Sequence, residues 1–323
     1  MRWAKRVTIG FGVVLALIVL TGIALAIWKP WVFPIQMADP GPSGRRLAIH
    51  GQPANYFPAA GTGQHAAILL LGGSEGGLGT SAATMARALQ AHGYAVLQLS
   101  YFRAPGQPKA LARIPIEGFD AGLAWLARQP DVDSRRLAIM GGSKGAEAAL
   151  LVASRHPELK AVVAGMPSSV VWPGFSWEME RVEGSSWTIG GRDVPALPFG
   201  QGSFSEGIGS IYVNGLKRLP AHAEAAIPIE RSPAPVLLIC GETDTLWPSC
   251  LMARQLVKRD VRVTILAYKD AGHAVFGVPV AESDPSPPPL SSLGGSVVGN
   301  NAARRDSWPK VLAFLDQALR AGT

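Results

Sequence analysis

The chain has 323 residues, of which 48% are hydrophobic and 16% are charged, a composition that predicts a globular protein with one substantial core. Its formal net charge is +7, but the arginine pairs Arg45-Arg46, Arg135-Arg136 and Arg304-Arg305 are scattered without interleaved aromatic residues, so we expect no nucleic-acid binding. The absence of a Cys-x-x-Cys motif or a histidine cluster predicts no metal, and we expect no cofactor. The two cysteines, Cys240 and Cys250, lie near one loop and could pair, but we favour free buried thiols.

The first 30 residues have the pattern of a membrane anchor. Arg2, Lys5 and Arg6 precede an uncharged apolar run over residues 7–28, and its length matches the roughly 20 residues that cross a bilayer. We therefore expect residues 1–30 to form an uncleaved single-pass helix in the cytoplasmic membrane. The positive-inside rule then places the rest of the chain on the outer, periplasmic or extracellular, side. A cleaved signal peptide is the alternative, because Ala24-Leu25-Ala26 resembles a cleavage site.

The rest of the chain begins with residues 31–64, whose Pro, Gly and Ala content predicts a linker that becomes an edge hairpin. From residue 65, apolar runs alternate with helical patterns. The predicted strands are Ala67–Leu71, Tyr94–Leu99, Arg136–Met140, Lys160–Met166, Pro235–Cys240 and Val261–Tyr268, and the predicted helices are Ala82–His92, Pro115–Arg128, Ala146–Ala153 and Ala303–Leu319. Apolar strands without polar alternation are typical of a mostly parallel sheet with helices on both faces.

One segment interrupts this alternation between two predicted strands, where a lid over an active site would be inserted. Residues 167–232 are rich in glycine and contain Trp172, Trp177 and Trp187. We expect Trp172 and Trp187 to contribute to an apolar acyl slot under this lid, although core packing explains large aromatic side chains as well.

The stretch Gly141-Gly142-Ser143-Lys144-Gly145 lies between a predicted strand and a predicted helix. Gly-x-Ser-x-Gly in that context is a nucleophile elbow, a tight turn that lifts the serine hydroxyl above the sheet. The motif alone is weak in a chain with 37 glycines, and it also occurs at Gly72-Gly73-Ser74-Glu75-Gly76. Since no helical pattern follows Ser74 directly, Ser143 is the better candidate nucleophile, and the fold prediction becomes an α/β-hydrolase over residues 65–323.

Chain order selects the partners of Ser143, because an α/β-hydrolase places the nucleophile first, then the acid, then the histidine. Asp244 follows a late predicted strand, and His273 is the only one of the six histidines that comes after it. The rival acids are Glu242, two residues too early, and Asp270, too close in sequence to face the ring of His273 easily. We expect His273 to accept the proton of Ser143 and Asp244 to hold the imidazole in place.

The oxyanion hole of such an enzyme needs two N–H donors. The amide of Lys144 follows the nucleophile, and the second amide is expected in the loop Gly72–Gly77, at Ser74 or Glu75. The second Gly-x-Ser-x-Gly then has a role without a second nucleophile. The alternative is that this loop is only a tight turn with no catalytic role.

The elbow, read as Gly-Gly-Ser-Lys-Gly-Ala-Glu, resembles that of the acyl-CoA thioesterase and bile acid-CoA:amino acid N-acyltransferase family. Further stretches that resemble this family are Ser168–Trp172, Ala226–Glu230, Gly241–Ser249, Ala271–His273 and Asp306–Trp308. The resemblance covers roughly residues 66–320 and includes segments that have no part in general hydrolase chemistry.

This resemblance implies the activity. Family members with Ser at the elbow are thioesterases, whereas Cys is associated with acyl transfer to an amino acid, so Ser143 implies hydrolysis of an acyl thioester or ester. The family's N-terminal immunoglobulin-like domain is replaced here by the expected anchor and linker, which indicates a bacterial-type member. Because acyl-CoA is cytoplasmic, an outward-facing domain predicts another acyl ester or thioester, unless the orientation is reversed. The alternatives are an acyltransferase on the same residues and a catalytically silent, membrane-anchored binding protein.

Overall fold

The computed structural model describes residues 2–29, 32, 34–178, 180–203, 206–281 and 293–320, with side chains from residue 13 onward. The strands are β1 (Arg45–Ile49), β2 (Gln52–Phe57), β3 (His65–Leu71), β4 (Ala95–Leu99), β5 (Ile114–Pro115), β6 (Val132–Gly142), β7 (Ala161–Gly165), β8 (Trp187–Ile189), β9 (Arg192–Asp193), β10 (Val236–Gly241) and β11 (Val263–Tyr268). The helices are α1 (Arg2–Trp28), α2 (Thr80–Ala91), α3 (Glu117–Ala127), α4 (Lys144–Ala153), α5 (Gly209–Leu216), α6 (Ser249–Arg259) and α7 (Val297–Ala318).

An eight-stranded sheet in the order β1-β2-β4-β3-β6-β7-β10-β11 forms the centre of the fold. Along β4-β3-β6-β7-β10-β11 each strand is parallel to the next. At the other edge β2 is antiparallel to β4 and forms an antiparallel hairpin with β1. Successive side chains of β3 point to opposite faces: Leu69 and Leu71 pack with α3, α4 and α6, whereas Ile68 and Leu70 pack with α2 and α7. Burial on both faces explains the unbroken apolar runs and confirms the expected fold class.

The described part of the segment between β7 and β10 contains β8, β9, α5 and the short 3₁₀ turns Leu219–Ala221, Ala223–Ala225 and Ile229–Arg231. Strands β8 and β9 join β5 in a second sheet of three strands. Trp172, Leu197, Leu216 and Trp247 belong to a separate small core at this place. The second sheet and α5 have too few residues to give a periodic sequence signal, so the sequence did not predict them.

The expected membrane anchor over residues 1–30 is wrong. A helix that crosses a bilayer needs about 20 apolar residues, and no helix in the described stretches is both long and apolar enough to do so. The membrane as a partner and the placement of the domain on the outer side of a cytoplasmic membrane are withdrawn with it. Met1, Pro30 and the side chains of residues 1–12 lie outside the described residues.

The two cysteines form a disulfide between Cys240 at the end of β10 and Cys250 at the start of α6, so the expectation of free thiols is wrong. The spacing of the two cysteines along the chain does not reveal the distance between them in space. The chain turns back after Asp244, and this turn brings the two Cα atoms to 5.2 Å, a distance that a disulfide can bridge.

Candidate active site

Ser143 lies at a sharp turn between β6 and α4. Its backbone has φ 55° and ψ −121°, a strained conformation for a residue with a side chain. The flanking glycines are required by space, because a Cβ at Gly141 would lie 2.2 Å from the carbonyl oxygen of Gly145. A Cβ at Gly145 would lie 2.2 Å from the carbonyl oxygen of Gly72. The turn therefore has the geometry that a nucleophile elbow requires.

Ser143, His273 and Asp244 are joined by hydrogen bonds. The Oγ of Ser143 lies 2.9 Å from Nε2 of His273, and Nδ1 of His273 lies 2.9 Å from Oδ2 of Asp244. Asp244 follows β10 and His273 follows β11, so all three side chains extend from the carboxyl edge of the parallel sheet. The rival acid Glu242 is turned away and forms an ion pair with Arg254.

Asp244 is held in place by three further donors. Its Oδ1 accepts hydrogen bonds from the amides of Leu246, at 3.0 Å, and Trp247, at 3.3 Å. The hydroxyl of Ser249 donates to Oδ2 at 2.7 Å. These donors fix the orientation of the carboxylate, so that Oδ2 faces the ring of His273.

The glycine-rich loop after β3 lies beside Ser143 and is fixed by two side chains. The indole N–H of Trp177 donates to the carbonyl oxygen of Ser74 at 2.6 Å, and Nη1 of Arg103 donates to the carbonyl oxygen of Glu75 at 2.8 Å. The amide of Gly73 donates to Oε1 of Glu75 at 3.1 Å. Lys144 is the first residue of α4, where an amide has no acceptor within its own helix.

A cavity of about 350 Å³ opens beside Ser143. Its lining includes the candidate residues Ser74, Glu75, Ser143 and His273, and also Trp177 and Arg304, which the sequence did not single out as site residues. Trp172 and Trp187 do not line this cavity. Both rings are almost fully buried in core clusters, so the packing alternative explains them.

An ion pair that the sequence did not predict lies directly behind the elbow. Nζ of Lys144 lies 2.7 Å from Oε2 of Glu147, and both side chains are buried. Oε1 of Glu147 accepts hydrogen bonds from the indole N–H of Trp187 at 2.8 Å and from the amide of Trp172 at 3.1 Å. Burial raises the pKa of Glu147 and lowers the pKa of Lys144, and the charge of each partner opposes the shift of the other. The i,i+3 spacing on a helix was the sequence signal for this pair.

The buried carboxyl group of Glu75 makes the free energy of unfolding depend on pH. Burial raises its pKa above the ordinary 4.5, although the amides of Glu75 and Gly73 and the charges of His273 and Arg103 lower it. The folded chain therefore keeps this proton at pH values where the unfolded chain has lost it, so the free energy of unfolding falls as the pH rises above 4.5. We expect Glu75→Gln to raise the melting temperature at pH 7 and to leave it unchanged at pH 4.

Thermal unfolding of both proteins across this pH range measures the effect. The matched control is Glu183→Gln, since the side chain of Glu183 is 83% exposed and its replacement should change the melting temperature at neither pH. A Glu75→Gln protein that is less stable than the original at pH 7 would contradict the expectation.

Residues 114–321 match the family model described as BAAT / Acyl-CoA thioester hydrolase C terminal. The chain belongs to this family. Acyl-coenzyme A thioesterase 6 of Mus musculus is 26% identical over 287 residues, which are 82% of this chain and 63% of that protein. Bile acid-CoA:amino acid N-acyltransferase of Mus musculus is 26% identical over 275 residues, 81% of this chain and 62% of that protein. This BAAT-family chain thus spans less than two thirds of the length of these relatives.

Solved structures with the same fold have low sequence identity to this BAAT-family chain. A dienelactone hydrolase-like promiscuous phosphotriesterase from metagenomic libraries has a TM-score of 0.54 at 16% identity, over 86% of this chain and 98% of that one. A puromycin-hydrolyzing peptidase of Mycobacterium tuberculosis has a TM-score of 0.56 at 17% identity, over 86% of this chain and 40% of that one. At these identities the likeness shows the fold alone.

Proposed function

We propose that this chain is a serine-dependent acyl hydrolase that cleaves acyl thioesters, and esters by the same route, through an acyl-enzyme on Ser143. The observation that carries the proposal is the hydrogen-bonded series from Ser143 Oγ through His273 to Asp244 at a strained strand-to-helix turn. A nucleophile, a base and a carboxylate in this geometry form the group of residues that acyl transfer to serine needs.

In the first half-reaction, Oγ of Ser143 attacks the carbonyl carbon and His273 Nε2 takes the hydroxyl proton. The negative charge on the carbonyl oxygen is stabilised by the amides of Lys144 and Ser74, which the proposal assigns as the oxyanion hole. The C–S or C–O bond then breaks, and His273 returns the proton to the leaving thiol or alcohol. In the second half-reaction, His273 deprotonates a water molecule that hydrolyses the acyl-enzyme and restores Ser143.

Two observations support acyl thioesters as the proposed substrate class. Several relatives are named as acyl-CoA thioesterases, and the cavity beside Ser143 has an apolar wall with Leu70, Met85 and Phe276. Hydrolysis of CoA thioesters and p-nitrophenyl esters with acyl chains of several lengths tests this class. Esterase activity without thioesterase activity would contradict it.

We propose the domain organisation on the same grounds. Residues 65–323 would form the catalytic domain and residues 31–64 its linker and edge hairpin. Residues 167–232 would act as the lid, supported by Trp177, which extends from this segment to line the cavity and to bind the carbonyl of Ser74.

Acyl transfer to an amine is the second candidate, because two relatives are named as amino acid N-acyltransferases. Product analysis with glycine or taurine present separates the two activities. We expect the free acid as the product. Formation of an N-acyl amino acid in place of the free acid would show that the activity is acyl transfer and not hydrolysis.

The carboxylate of Asp244 has a large expected effect on rate. Asp244→Asn keeps the side-chain volume but removes the charge that holds the tautomer of His273, so kcat should fall by about 10⁴-fold. Steady-state hydrolysis of one thioester measures the loss. Glu242→Gln is the matched control: the rival acid pairs with Arg254 outside the site and its replacement should leave kcat within about twofold. A loss in the Glu242 variant that equals the loss in the Asp244 variant would reverse the assignment.

A further inference from the structure

The hydroxyl of Tyr101 is a buried polar group that the proposed mechanism does not use. Tyr101 follows β4, is 4% exposed, and packs in the main core against Phe119 and Trp187, at ring-centroid distances of 5.3 and 5.7 Å. Its hydroxyl reaches the glycine-rich loop after β3 and donates to the carbonyl oxygens of Gly72, at 2.8 Å, and Gly73, at 3.0 Å. One phenol proton is therefore shared between two consecutive carbonyls of the loop.

The hydroxyl of Tyr101 stays protonated at neutral pH. Burial raises the pKa of Tyr101 well above the ordinary 10, and the charges of Glu75 and Glu147 raise it further. The hydroxyl is therefore a hydrogen-bond donor at every pH at which hydrolysis would be measured.

The loop that Tyr101 binds lies directly against the nucleophile elbow. A Cβ at Gly145 would lie 2.2 Å from the carbonyl oxygen of Gly72, and a Cβ at Gly73 would lie 3.3 Å from the Cβ of Ser143. The carbonyl of Gly72 thus contacts both the elbow and the hydroxyl of Tyr101. The hydroxyl therefore helps to set the position of the loop relative to Ser143.

The orientation of one peptide group connects Tyr101 to the expected oxyanion hole. The carbonyl of Gly73 and the amide of Ser74 belong to the same peptide bond, which is trans, so the C=O and N–H groups point in opposite directions. Gly73 and Ser74 line the cavity, whereas Tyr101 lies in the core and is not part of the cavity lining that the structure describes. Because Tyr101 binds the carbonyl from the core, the N–H of Ser74 is turned away from the core and towards the cavity.

The two amides that flank Ser74 already have acceptors. The amide of Gly73 donates to Oε1 of Glu75 at 3.1 Å, and the amide of Glu75 bonds to its own carboxyl group. Among the described residues, the amide of Ser74 has no acceptor. Of these three consecutive amides, Ser74 therefore supplies the one that can bind a developing negative charge.

We propose that Tyr101 is a positioning residue for the oxyanion hole, and that its hydroxyl holds the carbonyls of Gly72 and Gly73 so that the amide of Ser74 points at the carbonyl oxygen of the substrate. This inference rests on the proposed hydrolase function and adds a residue to it. Tyr101 acts through the loop and not on the substrate. Since the negative charge on the oxygen develops in the transition state, the hydroxyl should affect the rate of the reaction and not the binding of the substrate.

Tyr101→Phe removes only the hydroxyl and keeps the ring in the core. We expect kcat for thioester and p-nitrophenyl ester hydrolysis to fall about 10–100-fold, with KM within about twofold, because the donor is misdirected while loss of a whole oxyanion donor costs about 10²–10³-fold. Tyr56→Phe is the matched control, since Tyr56 is 1% exposed and its hydroxyl donates to Asp131 at 2.6 Å, outside the described cavity lining. The control should keep kcat within about twofold. An unchanged kcat in Tyr101→Phe, or a loss that appears only in KM, would overturn the proposal.

Inhibitor binding separates an effect on the oxyanion from a general loosening of the cavity. Oγ of Ser143 adds to the carbonyl carbon of a trifluoromethyl ketone while its proton passes to His273, and the adduct carries a negative oxygen. A thioether analogue of the substrate, in which CH₂ replaces the C=O group, forms no such oxygen. Tyr101→Phe should weaken inhibition by the ketone by the same factor as kcat and should leave inhibition by the thioether within about twofold. Equal weakening of both inhibitors would assign the hydroxyl to the shape of the cavity and overturn the proposal.

The ketone also distinguishes a failure of this inference from a failure of the hydrolase proposal. Ketone binding that depends on the hydroxyl of Tyr101, in a protein that hydrolyses neither esters nor thioesters, would support the positioned amide and contradict the hydrolase. Hydrolysis with the same kcat and the same ketone affinity in the original protein and in Tyr101→Phe would retain the hydrolase and overturn the role of Tyr101.

Discussion

Ser143→Ala is expected to lower kcat for thioester hydrolysis by about 10⁶-fold. Within the described part of the chain, the hydroxyl of Ser143 is the only group that is both hydrogen-bonded to His273 and able to form an ester with the acyl group. Residual hydrolysis would come from a water molecule activated by His273 and from the amides around the carbonyl oxygen. Single-turnover assays and mass spectrometry of the acyl-enzyme measure the loss.

Ser74→Ala is the matched control, because Ser74 lies in the second Gly-x-Ser-x-Gly and lines the same cavity. The substitution removes the rival hydroxyl and retains the backbone amide. A fluorophosphonate probe should label the original protein and the Ser74 variant and should not label Ser143→Ala. Labelling that persists in Ser143→Ala would end the assignment of Ser143 as the nucleophile.

The second large effect is on stability. Glu147→Ala should lower the free energy of unfolding by about 3–5 kcal/mol, because it leaves the ammonium of Lys144 buried without a carboxylate, with only the hydroxyl of Ser186 as an acceptor among the described residues. The same substitution removes the acceptor of the Trp187 indole and of the Trp172 amide. Denaturant unfolding of the variant measures the change.

Two further variants serve as controls for this result. The double variant Lys144→Met/Glu147→Leu removes both charges and should be more stable than Glu147→Ala, since no buried charge is left alone. Lys310→Ala breaks an exposed ion pair with Asp306 and should change stability by no more than about 0.5 kcal/mol. A Glu147→Ala protein as stable as Lys310→Ala would show that the buried pair contributes little.

Local sequence patterns were sufficient to predict most strands of the central sheet. The runs Ala67–Leu71 and Pro235–Cys240 predicted strands because burial on both faces leaves no polar positions, and the structure has β3 and β10 there. The helix α6 was missed, although its buried residues, which include Cys250, Ala253 and Leu256, recur at helical spacing. The second small sheet was missed because its strands have only two or three residues each, and the pairing of β5 with β8 joins residues more than 70 positions apart, such as Ile114 and Trp187.

In the candidate site, too, some residues were predicted from the sequence and others were found only in the structure. Chain order and strand ends selected Ser143, Asp244 and His273, and the structure brings their side chains to hydrogen-bond distance. Nothing in the sequence indicated that Trp177, and not Trp172 or Trp187, lines the cavity. The direction of a side chain in an irregular segment depends on contacts with distant residues, and composition does not encode those contacts.

The sequence by itself determined the α/β-hydrolase fold and the family, because both depend on periodicity and on motifs of a few neighbouring residues. The predictions that the N-terminal apolar run spans a membrane and that the two cysteines are free thiols were wrong. Only the tertiary structure decided which charges are paired. Glu147 pairs with Lys144, whereas Arg304, 160 residues along the chain from Lys144, lines the cavity beside Ser143 and has no carboxylate partner among the described residues. Charge pairing depends on distance and burial in space, and these are properties of the folded chain.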